Sequence, residues 1–470
     1  MASPPATSPR MRAACWGNAV ENKIIVIDDD PTGSQTVHGC LLLTRWDVDT
    51  LSEGLTDASP LFFVLSNTRG MDAESAAAVT REICVNLRAA LDRLAGQGRA
   101  IQPILVSRSD STLRGHYPVE TAVIAEILGP FDAHFLVPAF FEGGRVTRDS
   151  VHYLMVDGRP VPVHETEFAK DSVFGYRHSY LPDYVEEKTA GRIKANEVER
   201  FVLADVRGDA LPRLLALENN VCCVVDAESQ ADLNHFAAQL KQAATQGKRF
   251  LFRSGASLLT ALAALPPQPV AAADMSAFVR DSKPGAVIVG SHVKKTTAQL
   301  NELLKQPGVT PLEIDVARLP EGRARIVAEA VEAAAAMHDQ GLTPVIYTSR
   351  VERRFENRQQ RLAFGEQVSG TLMDIVKQLP ATLGFLISKG GITSNDVLSD
   401  GLALKASRVL GQILAGCSVV KCPDEHPRHP GLPVVIFPGN VGDEAALATA
   451  YRRLGDTKAF KSDFARQARA

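Results

Sequence analysis

The chain has 470 residues, a net charge of -3, 45% hydrophobic residues and 22% charged residues. That length exceeds one ordinary core, so two or three domains are expected. The balanced charge argues against a nucleic-acid binder, which usually carries a basic patch, and no apolar run reaches the ~18 residues of a membrane span. The seven cysteines are scattered without a CxxC pair, so neither a zinc ribbon nor a disulfide framework is expected, and a reducing cytoplasm is the expected setting.

In chain order, residues 1–22 are rich in Pro, Ala and Ser and lack the apolar core of a secretory signal. They read as a disordered start, with a transit peptide as the lesser reading. KIIVIDDD then reads as a buried strand, Ile24 to Ile27, that ends in acids. LFFVLSNTRG, IQPILVSRSDSTLRG and FLVPAF read as further strands. Between the first two of these lies a helix from about Ala73 to Leu94, whose apolar residues recur at three and four. Strand, helix, strand with unbroken apolar strands indicates parallel α/β architecture. VCCVVD and RFLFRSG extend the pattern past residue 250, while 150–200 reads as a long loop or a small lobe over a site. The Pro- and Ala-rich stretch 266–285 is the expected linker. After it come AVIVGS, TPVIYTS, GFLISKGG and PVVIFPGN, with RARIVAEAVEAAAAM as an intervening helix. The fold class expected is therefore two α/β domains with mainly parallel sheets, 23–265 and 286–465, and an active-site cleft between them.

Ligands of open α/β sheets bind beyond the carboxyl ends of the strands, so the residues just after each strand are the candidates. Asp28-Asp29-Asp30 would repel one another in a dry site unless cations or hydroxyl donors face them; a solvated acidic turn is the alternative. Arg69, after the second strand, has the planar fork to clamp a carboxylate, or is a surface arginine at a turn. Arg108, Ser109, Asp110, Ser111, Thr112 and Arg114 suit a small polyhydroxylated anion; Ser109 or Asp110 capping a helix is the alternative. In the second half, Gly290-Ser291, Gly390-Gly391-Ile392-Thr393 and Gly439-Asn440 form glycine-bearing turns at strand ends, as a nucleotide cradle would. Neither the P-loop nor the dinucleotide fingerprint is present. His426 and His429 are spaced HxxH between prolines, which disfavours a metal site. Arg350, Arg353, Arg354, Arg358 and Arg361 read as a solvated helix face, with phosphate contact the lesser reading.

IDDDPTGS, RSDSTLRG, the stretch from PAFFEGGR to HETEFAKD, KGGITS and FPGNVGDEAAL resemble the motifs of the four-carbon acid sugar kinase family, over about residues 24 to 447. The resemblance implies an N-terminal domain for a sugar acid such as threonate, erythronate or 3-oxo-tetronate. It also implies a C-terminal domain for ATP, with transfer to the terminal hydroxyl. Asp29 and Asp30 then match paired acids, Arg69 a substrate arginine, and Arg108 to Ser111 the substrate loop. Ser291, Gly390, Gly391, Ile392, Thr393 and Gly439 match ATP contacts, and Asn440 goes with them. On that footing Asp30 is the expected general base and Asp110 the runner-up, with Arg69, Arg108 or Arg114 gripping the carboxylate. Ser109 and Ser111 would help hold the substrate and Mg²⁺ would bridge the phosphates. The expected partners are a sugar acid and ATP, with a homodimer left open. A metal-dependent sugar-acid lyase or epimerase, and a non-catalytic sugar-acid-binding protein, are the rival readings.

Overall fold

The computed structural model describes residues 21–350, 358–439 and 441–455. In it the described strands form one large sheet and a small second one. The first half supplies β1 (Glu21–Asp28), β2 (Leu41–Leu43), β3 (Leu61–Leu65), β4 (Ile101–Arg108) and β5 (Ala133–Val137). It continues with β6 (Arg145–Arg148), β7 (Val151–Val156), β8 (Arg159–Pro162), β9 (Glu199–Phe201), β10 (Val221–Val225) and β11 (Phe250–Ser254). The second half adds β12 (Ala286–Val289), β13 (Val309–Ile314), β14 (Thr343–Thr348), β15 (Leu386–Lys389), β16 (Ala406–Leu414), β17 (Cys417–Lys421) and β18 (Pro433–Phe437).

Fifteen strands run in the order β13-β14-β12-β15-β18-β17-β16-β2-β3-β1-β4-β11-β5-β10-β9. Every pairing from β2 to β9 in that order is parallel, as is every pairing from β13 to β18. The two halves thus form two parallel α/β units. They are bridged by the antiparallel hairpin β16–β17, and β16 pairs with β2 across the seam.

Unbroken Val, Ile, Leu and Phe runs suit strands covered on both faces. Ile24 and Val26 face one core while Ile25 and Ile27 face the other, as the two-residue period of a strand requires. The first of those cores continues through Ile288, Ile346 and Leu386 of the second half. Each such side chain contributes about 1.5–3 kcal/mol on burial.

The helix read at Ala73 to Leu94 spans Ala73–Gly96, started by the Asp72 side chain, which accepts from Ser75 N. Strand β1 begins two residues inside the stretch read as a disordered start: Glu21 and Asn22 pair with Ile101 and Gln102 of β4. Residues 1–20 lie outside the described residues. The region 150–200 is a lobe rather than a loop, built on the sheet β6-β7-β8 and the helix Leu181–Lys188. The expected linker is not free chain: Gln268 holds Gln412 of β16 through both its amide nitrogen and its amide oxygen. The cap reading of Ser109 and Asp110 is overturned, because no helix starts there; Leu113 at φ 67 and Gly115 at φ 120 turn the chain, and the next helix begins at Val119. Among the described residues, no helix is long and apolar enough to cross a membrane. The six described cysteines are buried and free.

In each unit the chain leaves its first strand toward one side of the sheet and later crosses to the other. The crossings fall between β1 and β4 and between β12 and β15. Such switch points open crevices at the strands' carboxyl ends, and the acids, the arginines and the Gly-Gly turn all lie there.

Candidate active site

Asp28 and Asp29 are buried, which overturns the solvated-turn reading of the three acids. Burial pushes Asp28 well above the usual carboxylate range despite Arg108 nearby, and its Oδ2 has no hydrogen-bond partner among the described residues. Asp29 is also raised by burial, against the pull of Arg69. Arg69 forks across the other two acids: Nε donates to Asp29 Oδ2 at 3.2 Å, Nη2 to Asp29 Oδ1, and Nη1 to Asp30 Oδ2 at 3.1 Å. The same Asp30 carboxylate starts the turn Pro31–Ser34 by accepting from Thr32 N at 2.8 Å. One planar guanidinium therefore fixes both carboxylates, which a single ammonium could not match.

Beneath this pair, Arg253 of β11 meets Glu120 and donates to Ser107 Oγ at 2.6 Å. Burial opposes ionisation of Glu120, but Arg253 and the Thr68 hydroxyl win and hold its carboxyl below the usual range.

The loop after β4 forms a second cluster. Arg114 Nε donates to Asp110 Oδ2 at 2.6 Å and the Thr112 hydroxyl donates to the same oxygen. Burial would raise Asp110, yet Arg114, Arg69 and these hydrogen bonds hold it well below the usual range. Arg114 also lies 4.9 Å over the Phe168 ring. Ser109 and Ser111 are buried in the same loop, and Arg108 turns inward to donate to the Ser109 carbonyl. The lobe braces this loop through its backbone: His152 Nε2 donates to Ser111 O at 2.8 Å, Tyr176 to Thr112 O at 2.7 Å and Tyr184 to Leu113 O at 2.9 Å. Burial pulls His152 down to about 4, so the imidazole is neutral near pH 7; the Ser111 carbonyl, which only accepts, places its proton on Nε2, and Nδ1 accepts from the Thr147 hydroxyl at 2.9 Å. A small cavity opens between Ser109, Asp110, Arg114, Tyr117, Tyr184 and Arg253.

On the other side of the seam, the turns after β12, β15 and β18 converge. Gly390 sits at φ +121, where a Cβ would be strained and 3.1 Å from Ser291 Cβ. Thr296 Oγ1 donates to Gly439 O at 3.0 Å and lies within hydrogen-bond distance of Ser291 Oγ at 3.1 Å. Thr393 is buried and Ile392 is 69% exposed. The two clusters touch: a Cβ on Gly391 would stand 3.2 Å from Asp30 Oδ2. Asp30 thus reaches from the first half to the bare backbone of the second.

Two family models match the chain, a sugar-binding N-terminal domain over residues 24–262 and a nucleotide-binding C-terminal domain over 286–447. The chain belongs to the four-carbon acid sugar kinase family. A D-erythronate kinase of Heliobacterium modesticaldum is 26% identical over 226 residues, which is 46% of this family member and 47% of that relative. Two solved structures share the fold. A proposed tRNA synthase of Salmonella typhimurium LT2 has a TM-score of 0.63 and 21% identity, covering 92% of this chain and 99% of its own. A Haemophilus influenzae protein with a domain of unknown function has a TM-score of 0.61 and 17% identity, covering 92% and 100%.

Of the residues singled out in the sequence of this four-carbon acid sugar kinase family member, Asp29, Asp30 and Arg69 form one cluster, and Ser109, Asp110, Ser111 and Arg114 a second. Ser291, Gly390, Gly391, Thr393 and Gly439 form a third, with Ile392 on its surface. Arg108 is close by, with Nη1 donating to the Ser109 carbonyl and its buried Nε without a partner among the described residues. Asn440 lies outside the described residues, as do Arg353, Arg354 and the side chains of Arg358 and Arg361. Arg350 donates to Thr297 Oγ1 at 2.7 Å. His426 is occupied by backbone: Nε2 meets Leu402 O at 2.8 Å and Nδ1 accepts from His429 N at 2.8 Å. Sequence reading gave no role to Arg253, Glu120, Tyr176, Tyr184, His152 or Lys389, although Lys389 stands in the quoted KGGITS. A charged residue closing an otherwise apolar strand was the available signal for Arg253 and Lys389.

Proposed function

We propose that the protein is an ATP-dependent kinase that transfers the γ-phosphoryl group to the terminal hydroxyl of a four-carbon sugar acid of the threonate, erythronate or 3-oxo-tetronate type. The observation that carries this reading is the approach of Asp30 to Gly391, which sets a carboxylate from the sugar side against the turn of the nucleotide side.

Phosphoryl transfer needs positioning and charge neutralisation more than covalent chemistry. Asp30, fixed by Arg69 and Thr32, orients the acceptor hydroxyl and takes its proton as the oxygen bonds phosphorus and ADP departs. Asp110 suits that task less well, because a carboxyl held well below its usual range is a weak proton acceptor. It holds substrate hydroxyls instead, beside Ser109 and Ser111, while Arg114 and Arg69 face the substrate carboxylate. The backbone at Gly391 and Gly439 suits phosphate oxygens, while Gly390 is buried with its N–H donating to Phe437 O at 2.8 Å and shapes the turn; a side chain at Gly390 or Gly391 would crowd Ser291 or Asp30. Among the described residues, no three His, Cys, Asp or Glu side chains are grouped to hold a metal ion. Mg²⁺ fits here only as a companion of the nucleotide phosphates, whose charge it neutralises when bound, with Asp30 the carboxylate facing that turn. Approach of the halves over both ligands excludes water as a competing acceptor.

The direct experiment is ADP release measured across a panel of four-carbon sugar acids with Mg²⁺ and ATP. The expected result is a rate with one acid well above the rest. Release with none of them would remove the kinase reading.

A further inference from the structure

Lys389 closes β15, and its side chain is fully buried. The ammonium donates to Pro438 O at 2.5 Å and to Gly439 O at 3.2 Å, and it lies 4.2 Å over the Phe437 ring. Thr296 Oγ1 reaches the same Gly439 carbonyl from the helix Lys294–Leu303. Both donors thus pull the carbonyls of one turn into the protein. The C=O and N–H of a trans peptide point in opposite directions. Holding the Pro438 carbonyl inward therefore turns the Gly439 N–H outward, away from Lys389. A turn with its carbonyls outward would repel phosphate; this one offers an amide with a cation behind it.

We propose that Lys389 is the positioning residue of the nucleotide turn, its ammonium holding the Pro438–Gly439 carbonyls inward so that phosphate affinity depends on the lysine being charged. The inference rests on the kinase reading above.

Burial pulls Lys389 down to about 7. The groups facing it are Cys417 of β17, whose thiol burial pushes up to about 12, and Lys295, a like charge. His292 of the adjacent turn is lowered by burial and by Arg350, so it titrates below neutrality. A depressed lysine is charged below its pKa and loses the charge as pH rises through it. Nucleotide affinity is therefore full on the acid side of about 7 and falls above it. The phosphates of ATP do not oppose this trend in alkali, since their last proton leaves near pH 6.

The test is calorimetric titration of the full chain with Mg²⁺-ATP from pH 6.5 to 9. The wild type is expected to bind roughly 25-fold more weakly at pH 9 than at pH 7.5, as the charged fraction of the free lysine falls. Lys389→Met is expected to bind weakly throughout, with a flat profile over that range. A flat wild-type profile, or tight binding by Lys389→Met at pH 7, overturns the proposal. If the variant does not fold, the wild-type slope decides alone. Absence of ATP binding at pH 6.5 in the wild type overturns the kinase reading instead, which keeps the two failures distinct.

Discussion

The two clusters that meet at the seam are organised by opposite means. On the sugar side, side chains carry charge and hold one another: Arg69 spans Asp29 and Asp30, Arg114 holds Asp110, and Arg253 meets Glu120. On the nucleotide side the proposed working groups are backbone at Gly391 and Gly439, with Gly390, at φ +121, shaping the turn and Lys389 buried behind it. The difference teaches where each is vulnerable. A buried ion-pair network fails when one partner is removed, because the survivor is left uncompensated. A glycine turn fails when an atom is added.

Four tests sharpen or break that contrast. Asp30→Asn is expected to lower kcat by roughly 10²–10⁴-fold, the usual worth of a positioned base, while ATP affinity measured by calorimetry stays unchanged; near-wild-type turnover would remove Asp30 from the chemistry. Arg253→Met strands Glu120 in the core and should cost about 3–5 kcal/mol of stability, read by denaturant unfolding. Adding Glu120→Gln should recover part of that loss, and no recovery would mean that the pair is not the cause. Gly390→Ala places a Cβ at φ +121 and should cost about 1–3 kcal/mol. The cost should show as weaker ATP binding, with sugar-acid binding kept; equal loss of both ligands would erase the division between the clusters. Tyr176→Phe removes only the hydroxyl on Thr112 O. About 1 kcal/mol, or some fivefold in KM for the sugar acid, is expected, with KM for ATP unmoved.

Most of the parallel strands were legible because they carry unbroken apolar runs between turn residues, as LFFVL does in β3, whereas ERF of β9 and VTPLEI of β13 carry none and were not read. The hairpin β16–β17 was not read: ASRVLGQIL buries only every second residue, and its partner β2 is a three-residue strand with little signal of its own. DSTLRG announced its chemistry by charge and hydroxyl density. Whether those charges faced solvent or one another was decided by strands far apart in sequence, as with Arg253 and Glu120. Lys389 was hidden for a related reason. A lysine before Gly-Gly looks like a surface residue until the turn after β18 folds over it.

The ladder between β2 and β16 has a mechanical consequence. Leu41, Leu42 and Leu43 register with Arg408, Ser407 and Ala406, and Arg408 also clasps Asp57 at 2.7 Å. Swinging one half against the other must therefore flex this short ribbon, as a leaf spring bends at its thinnest point. Six paired residues and the Arg408–Asp57 clasp would then carry part of the load of any such movement.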